Sequence, residues 1–171
     1  IIGGVAAGTK VAAKLKRENP QDEIVIYTKG KDISYAGCGL PYYIGGAIET
    51  EGELIVNTPA KFMGLTGTTV HTGSEAVAVD PAAKTVSIRT NAAPTEGAGA
   101  QKPQAGTEGS NALEAGAGTD SAGAQAIETV SYDRLIIAVG AESAIPPVEG
   151  TKLPGVFTVR TPQDAIGCRK Y

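Results

Sequence analysis

Histidine occurs once in this sequence, at His71, and cysteine only twice, at Cys38 and Cys168. A lone imidazole excludes a multi-histidine metal centre, and no metal is expected. Two thiols far apart in the chain do not form the disulfide framework of a small secreted domain, so each is read as packing or as chemistry. No uninterrupted apolar stretch approaches the ~20 residues that span a bilayer, and no charged leader precedes a signal-like segment. Lys and Arg total 15 against 18 Asp and Glu, a formal net charge of −3. The cations are scattered rather than striped, so neither nucleic acid nor a membrane is an expected partner, and the cytoplasm is the expected compartment. An initiator Met is also missing. The chain opens on Ile1 and Ile2, and truncation at both ends is the expectation.

What is present suffices for one core: 171 residues, 42% of them hydrophobic. "IIGGVAAG" reads as the end of a short apolar strand that turns through glycines into the helix "TKVAAKLKREN", with Val11, Ala12 and Leu15 on its apolar face. Pro20 and Asp22 break that helix, and the β-branched run "EIVIYT" follows as a buried strand. A βαβ unit requires a parallel sheet covered by helices. "TPAKFMGL" predicts a short helix with Thr58 as N-cap and Pro59 in its first turn. The alternating runs around "DPAAK" predict a β-hairpin. Residues 91–126 turn abruptly to Gly, Ala, Thr, Ser and Gln, too poor in apolar side chains to offset ordering entropy, and are expected to be a flexible loop inside the meander. A third meander strand follows, then a buried strand "RLIIAVG". The tail "GVFTVRTPQDAIGCRKY" reads as a strand and the start of a helix capped by Thr161.

Gly3, Gly4 and Gly8 approximate the turn in which glycines let a backbone approach a pyrophosphate at a helix N-terminus. Val5 stands where the middle glycine of that fingerprint belongs. Thr28 occupies the end of the second strand, where an acid would hold a ribose. A hydroxyl there lacks the strength of a charge-assisted hydrogen bond, so weakened adenosine binding is expected.

"SYAGCGLPYYIGG" sets Cys38 between Gly37 and Gly39, after Ser34 and before Tyr42 and Tyr43. Taken alone, a free cysteine is most often a small buried hydrophobe. The polar serine, the close-approach glycines and the predicted helix start favour a nucleophile instead.

At this point "IIGGVAAG", "DISYAGCGLPYYIGG", "LIVNTPAKF", "YDRLIIAVGA" and "TPQDAI", in that order, resemble the N-terminal FAD-binding part of the single-cysteine pyridine nucleotide-disulfide oxidoreductases. The branch most similar is that of the coenzyme A disulfide reductases and NADH oxidases. The resemblance implies a Rossmann-like α/β fold, a parallel sheet with helices on both faces and an inserted antiparallel β-meander. It also implies FAD as cofactor, NAD(P)H as co-substrate, and coenzyme A disulfide or another small disulfide as partner. Cys38 would accept electrons from the flavin, with Ser34 fixing its segment. Gly37 and Gly39 would permit close contact, and of Tyr42 and Tyr43, partly core, one would lie near the substrate channel. Gly3, Gly4, Val5, Ala6, Ala7 and Gly8 would face the pyrophosphate, Thr28 and Lys29 the adenosine, and Ala138, Val139 and Gly140 a second flavin-contacting stretch. Val139 stands where the family carries Thr, and Ala6 where peroxidase relatives carry His, which disfavours peroxide reduction. His71 and Cys168 are read as surface or packing residues. In the family an NAD(P)H domain and a dimerisation domain follow, so the chain is expected to be an incomplete FAD-binding domain, inactive alone and homodimeric when full length.

The resemblance implies reduction of coenzyme A disulfide or a related disulfide or persulfide, with NAD(P)H oxidation through a Cys38 sulfenate as an alternative, and non-catalytic flavin or nucleotide binding with redox sensing stays open beside them.

Overall fold

The computed structural model describes residues 1–90 and 126–171. The Ala/Gly-rich stretch, read above as a loop, lies outside the described residues except for Ala126. Helix α1 runs Ala6–Glu18 and is followed by β1, Val25–Tyr27. It starts three residues earlier than the pattern suggests, because the glycine turn itself supplies the first helical residues. A 3-10 turn, Gly37–Gly39, leads directly into α2, Leu40–Ile44. Helix α3, Pro59–Thr66, begins as expected: Thr58 Oγ1 accepts from the Lys61 amide, and Pro59 follows it.

β2, Thr69–His71, pairs in parallel with β1, placing Ile26 opposite Val70. Ile2 bridges in parallel to Tyr27 on one side and to Ile137 on the other. Four parallel segments thus lie side by side in the order 137, 2, β1, β2. β3 (Ser74–Asp80), β4 (Thr85–Thr90) and β5 (Ile127–Ser131) form a separate antiparallel sheet in that order. The expected hairpin and third meander strand are these. Only the second half of the run before "DPAAK" belongs to them, however: Gly73, at φ +63°, divides β2 from β3 and lets the chain leave one sheet for the other.

Alternation along the strands sends neighbouring residues to opposite faces. Ile24 and Ile26 pack with Ala12, Ile33 and Phe62 under α1 and α3. Ile2 and Tyr27 face the other way, against Val86, Ile88 and Val130 of the meander. Among the described residues the second face of the parallel sheet is therefore covered by the antiparallel sheet. Each fully buried aliphatic side chain contributes about 1.5–3 kcal/mol.

Two strand expectations are corrected. "RLIIAVG" makes a single bridge, and Ile137 and Val139 stay 63% and 68% exposed, because no described segment pairs beyond it. "GVFTVRT" joins no ladder and leaves Val156, Phe157 and Val159 exposed. A β-branched run supplies strand propensity, but a strand needs a neighbour to bond to.

Helix α4, Pro162–Lys170, closes the chain. Thr161 Oγ1 accepts from the Asp164 amide, while Asp164 Oδ2 accepts from the Thr161 amide at 2.7 Å and the Arg160 amide at 3.0 Å. Partial desolvation raises the Asp164 carboxyl, but the hydrogen bonds from Thr161 and Arg160 outweigh it and hold it below its ordinary 3.8. A lowered carboxyl stabilises the fold above its ordinary value and loses that contribution as pH falls through the lowered one. Asp164→Ala is thus expected to cost about 1 kcal/mol at neutral pH, as a lost cap does. Thermal melts in buffers of decreasing pH should show the gap between variant and parent closing in acid; a gap independent of pH would exclude the ionised cap.

Candidate functional site

The carboxyl ends of the parallel segments open onto a cleft of about 1230 Å³. Gly3, Thr28 and Ala138 each follow a sheet residue and lie on its floor, which is where an open α/β sheet binds its ligands. Gly3, at φ +104°, takes a backbone conformation that favours glycine, and a Cβ there would lie 2.2 Å from the Ala138 carbonyl oxygen. Gly8 sits just beneath. Its Cβ would fall 1.9 Å from the Gly3 carbonyl oxygen, so only glycine allows α1 to meet the turn this closely.

Cys38 is exposed, against the reading as a small buried hydrophobe, and lines the same cleft. Its segment is fixed from behind by Ser34. Ser34 has φ +49°, its amide donates to the Gly4 carbonyl at 3.0 Å, and its carbonyl accepts from the Val56 amide at 3.1 Å. Asn57 Nδ2 donates to Ser34 Oγ at 3.3 Å. A left-handed serine costs on the order of 1 kcal/mol or more, and persists where its surroundings over-determine it, as these bonds do.

Of the residues singled out in the sequence, Gly3, Gly4, Val5, Ala6, Ala7, Thr28, Lys29, Gly37, Cys38, Ala138, Val139 and Gly140 share this cleft. Ser34 and Gly8 support it from outside. Gly39, Tyr42 and Tyr43 do not reach it: Gly39 is buried against Ile48 and Leu54, and Tyr43 packs with Leu40, Leu54 and Ala165. The Arg169 guanidinium lies 4.5 Å from the Tyr43 ring centre, and Tyr42 faces solvent. His71 is exposed and stacks on Tyr27, ring centres 5.0 Å apart, and Cys168 is half-buried on α4.

The structure adds residues that no local pattern marks. Gln163 Nε2 donates to Asp32 Oδ2 at 2.8 Å, Tyr35 donates its hydroxyl proton to the Arg160 carbonyl at 3.4 Å, and Arg160 Nε donates to the Ala141 carbonyl at 3.0 Å. These contacts join the start of α4 to the cysteine segment and to the glycine stretch, making a second wall. Burial raises the Tyr35 hydroxyl pKa, with the Arg160 charge opposing. Glu75, on β3, also lines the cleft: its carboxylate lies 3.0 Å from Lys29 Nζ and 2.7 Å from Arg89 Nη2. Hydrogen bonds from Arg89 and then Lys29 hold that carboxyl below the usual range. Among the described residues no three His, Cys, Asp or Glu converge as a metal cluster, and no helix is long and apolar enough to cross a membrane.

A profile of the family described as pyridine nucleotide-disulphide oxidoreductase matches residues 1–170. An NADH oxidase of Methanocaldococcus jannaschii is 32% identical over all 171 residues, which span 31% of that relative's length. A coenzyme A disulfide reductase of Staphylococcus epidermidis is 35% identical over 88 residues, 52% of this chain and 20% of its own. Among solved structures, an NAD-dependent persulfide reductase from A. fulgidus superposes with a TM-score of 0.73 at 30% identity, covering 96% of this chain and 26% of that one.

Proposed function

Because the chain belongs to the pyridine nucleotide-disulphide oxidoreductase family, we propose that it is the flavin- and thiol-bearing part of an NAD(P)H-dependent reductase of coenzyme A disulfide or a related small disulfide or persulfide. One observation carries the reading: an exposed cysteine lies in the cleft that the glycine turn floors. FAD suits these residues. Gly3 and Gly8 admit no Cβ because the Ala138 and Gly3 carbonyls stand there, so the turn packs tightly under α1. The first residues of α1, Ala6 and Ala7, line the cleft with Thr28, Lys29 and Cys38, and a helix N-terminus suits a pyrophosphate. When bound, FAD supplies two-electron transfer between a nicotinamide hydride and sulfur.

The residues of the chain do the rest. Cys38 Sγ, as thiolate, attacks one sulfur of the small disulfide; a Cys38 mixed disulfide forms and the other half leaves as a thiolate that takes a proton. Two electrons, supplied by NAD(P)H, and one proton then cleave the mixed disulfide, returning Cys38 to thiolate and releasing the second thiol. Ser34 holds the cysteine segment in register with Gly4, so the sulfur keeps its place relative to the turn. Gly37, beside the sulfur, faces open space and leaves the approach to it clear.

The chain itself tests this. Reduced protein mixed with coenzyme A disulfide, digested without reductant and read by mass spectrometry, should carry one coenzyme A on the Cys38 peptide and little on the half-buried Cys168. Equal labelling of both, or none at Cys38, would overturn the reading. The M. jannaschii relative favours a second one, in which the open face of Cys38 admits an oxygen-derived oxidant and cycles through a sulfenate.

A further inference from the structure

Thr28, buried at the carboxyl end of β1, offers only a hydroxyl where dinucleotide-binding units of this kind place a ribose-holding acid. A carboxylate nonetheless lines the same cleft from another strand. The Ser74 amide donates to the Thr28 carbonyl at 2.9 Å, which sets the first residues of β3 beside the end of β1. Glu75 is the next residue, lines the cleft, and touches Lys29, the neighbour of Thr28, at 3.0 Å.

We infer that Glu75 supplies the carboxylate that grips the adenosine ribose hydroxyls of a dinucleotide in this cleft, in place of the acid missing at residue 28. The inference rests on the FAD reading above. A carboxylate has about four acceptor positions. Arg89 engages one oxygen and Lys29 the other, leaving capacity for two hydroxyl donors. The two cations also fix the side chain, which is only 23% exposed, so little rotamer entropy remains to be lost on binding. On this inference Thr28 does not by itself weaken adenosine binding, because charge-assisted acceptance comes from the adjacent sheet.

The test compares two ligands on the same chain, FAD and an FAD analogue whose adenosine ribose lacks both hydroxyls, by quenching of flavin fluorescence. Glu75→Gln is expected to weaken FAD about tenfold or more, the size of a lost hydrogen bond to a charged group, and to leave the dideoxy analogue within about twofold, which is below the size of any single hydrogen bond. The double variant Thr28→Glu with Glu75→Gln should recover most of the FAD affinity, which a merely misfolded variant would not do. Equal losses for the two ligands, or no loss for either, would overturn the assignment of Glu75 while leaving FAD binding intact. If the unaltered chain binds no FAD, the proposed function and this inference fail together.

Discussion

Replacing Cys38 by Ser is expected to abolish disulfide reduction while leaving flavin binding in place. The chain is loaded with FAD, reduced chemically without oxygen, and mixed with coenzyme A disulfide; reoxidation is followed by flavin absorbance. The unaltered protein should reoxidise as the disulfide is consumed, and the serine variant should slow by at least about three orders of magnitude, since removing a nucleophile costs up to ~10⁶-fold. The argument is geometric. Cys38 is the one cysteine in the cleft, and a serine hydroxyl is a far weaker nucleophile toward sulfur at neutral pH. Cys168→Ser should change the rate less than twofold, since that residue lies on α4 away from the cleft lining, a change below about 0.5 kcal/mol, typical of sites outside such machinery. Unchanged reoxidation by the Cys38 variant would show that electrons leave by another route.

Gly8→Ala is expected to be among the most damaging single-methyl changes in the molecule. Alanine normally gains about 1 kcal/mol over glycine inside a helix. Here its Cβ would lie 1.9 Å from the Gly3 carbonyl oxygen, a backbone atom that cannot swing aside, so α1 and the turn must separate. Overpacking of this kind costs about 3 kcal/mol, and the displaced turn should lower FAD affinity at least tenfold. Gly64→Ala in α3 is the matched control. Its Cβ would meet nothing within 4 Å, so the same chemical change should stabilise by up to about 1 kcal/mol. Chemical denaturation of both variants reads the sign directly; two changes of the same sign would mean that the contact at Gly8 does not govern the turn.

Much of the cleft is legible in sequence because its floor is built from local motifs. Gly3, Gly4 and Gly8 announce a strand, a tight turn and a helix within eight residues, and the cysteine segment carries its own glycines and helix start. The caps at Thr58 and Thr161 are equally local, each a hydroxyl followed by proline, and both helices begin where that chemistry puts them. Hydrophobic runs are less decisive. "VFTV" and "LIIAV" have strand composition, yet ladder formation depends on what lies alongside, which composition does not encode. Glu75 escapes sequence reasoning for a related reason. Its place beside Thr28 follows from Gly73 carrying the chain from one sheet to the other, and no spacing along the sequence reports that crossing. Arg160 and Gln163 are likewise joined to the site only through the docking of α4.

That docking has a consequence for the order in which the molecule is made. Gln163 reaches back 131 positions to Asp32, the Arg160 carbonyl 125 positions to Tyr35, and Arg169 about as far to the carbonyls of Ile48 and Glu49. Synthesis proceeds from the N-terminus at ~5–20 residues per second, so Cys38 emerges several seconds before the residues that build the second wall of its cleft. During that interval Tyr35, Asp32 and the Ala141 carbonyl lack the partners that residues 160–163 bring, and the cleft gains its second wall only when those residues follow.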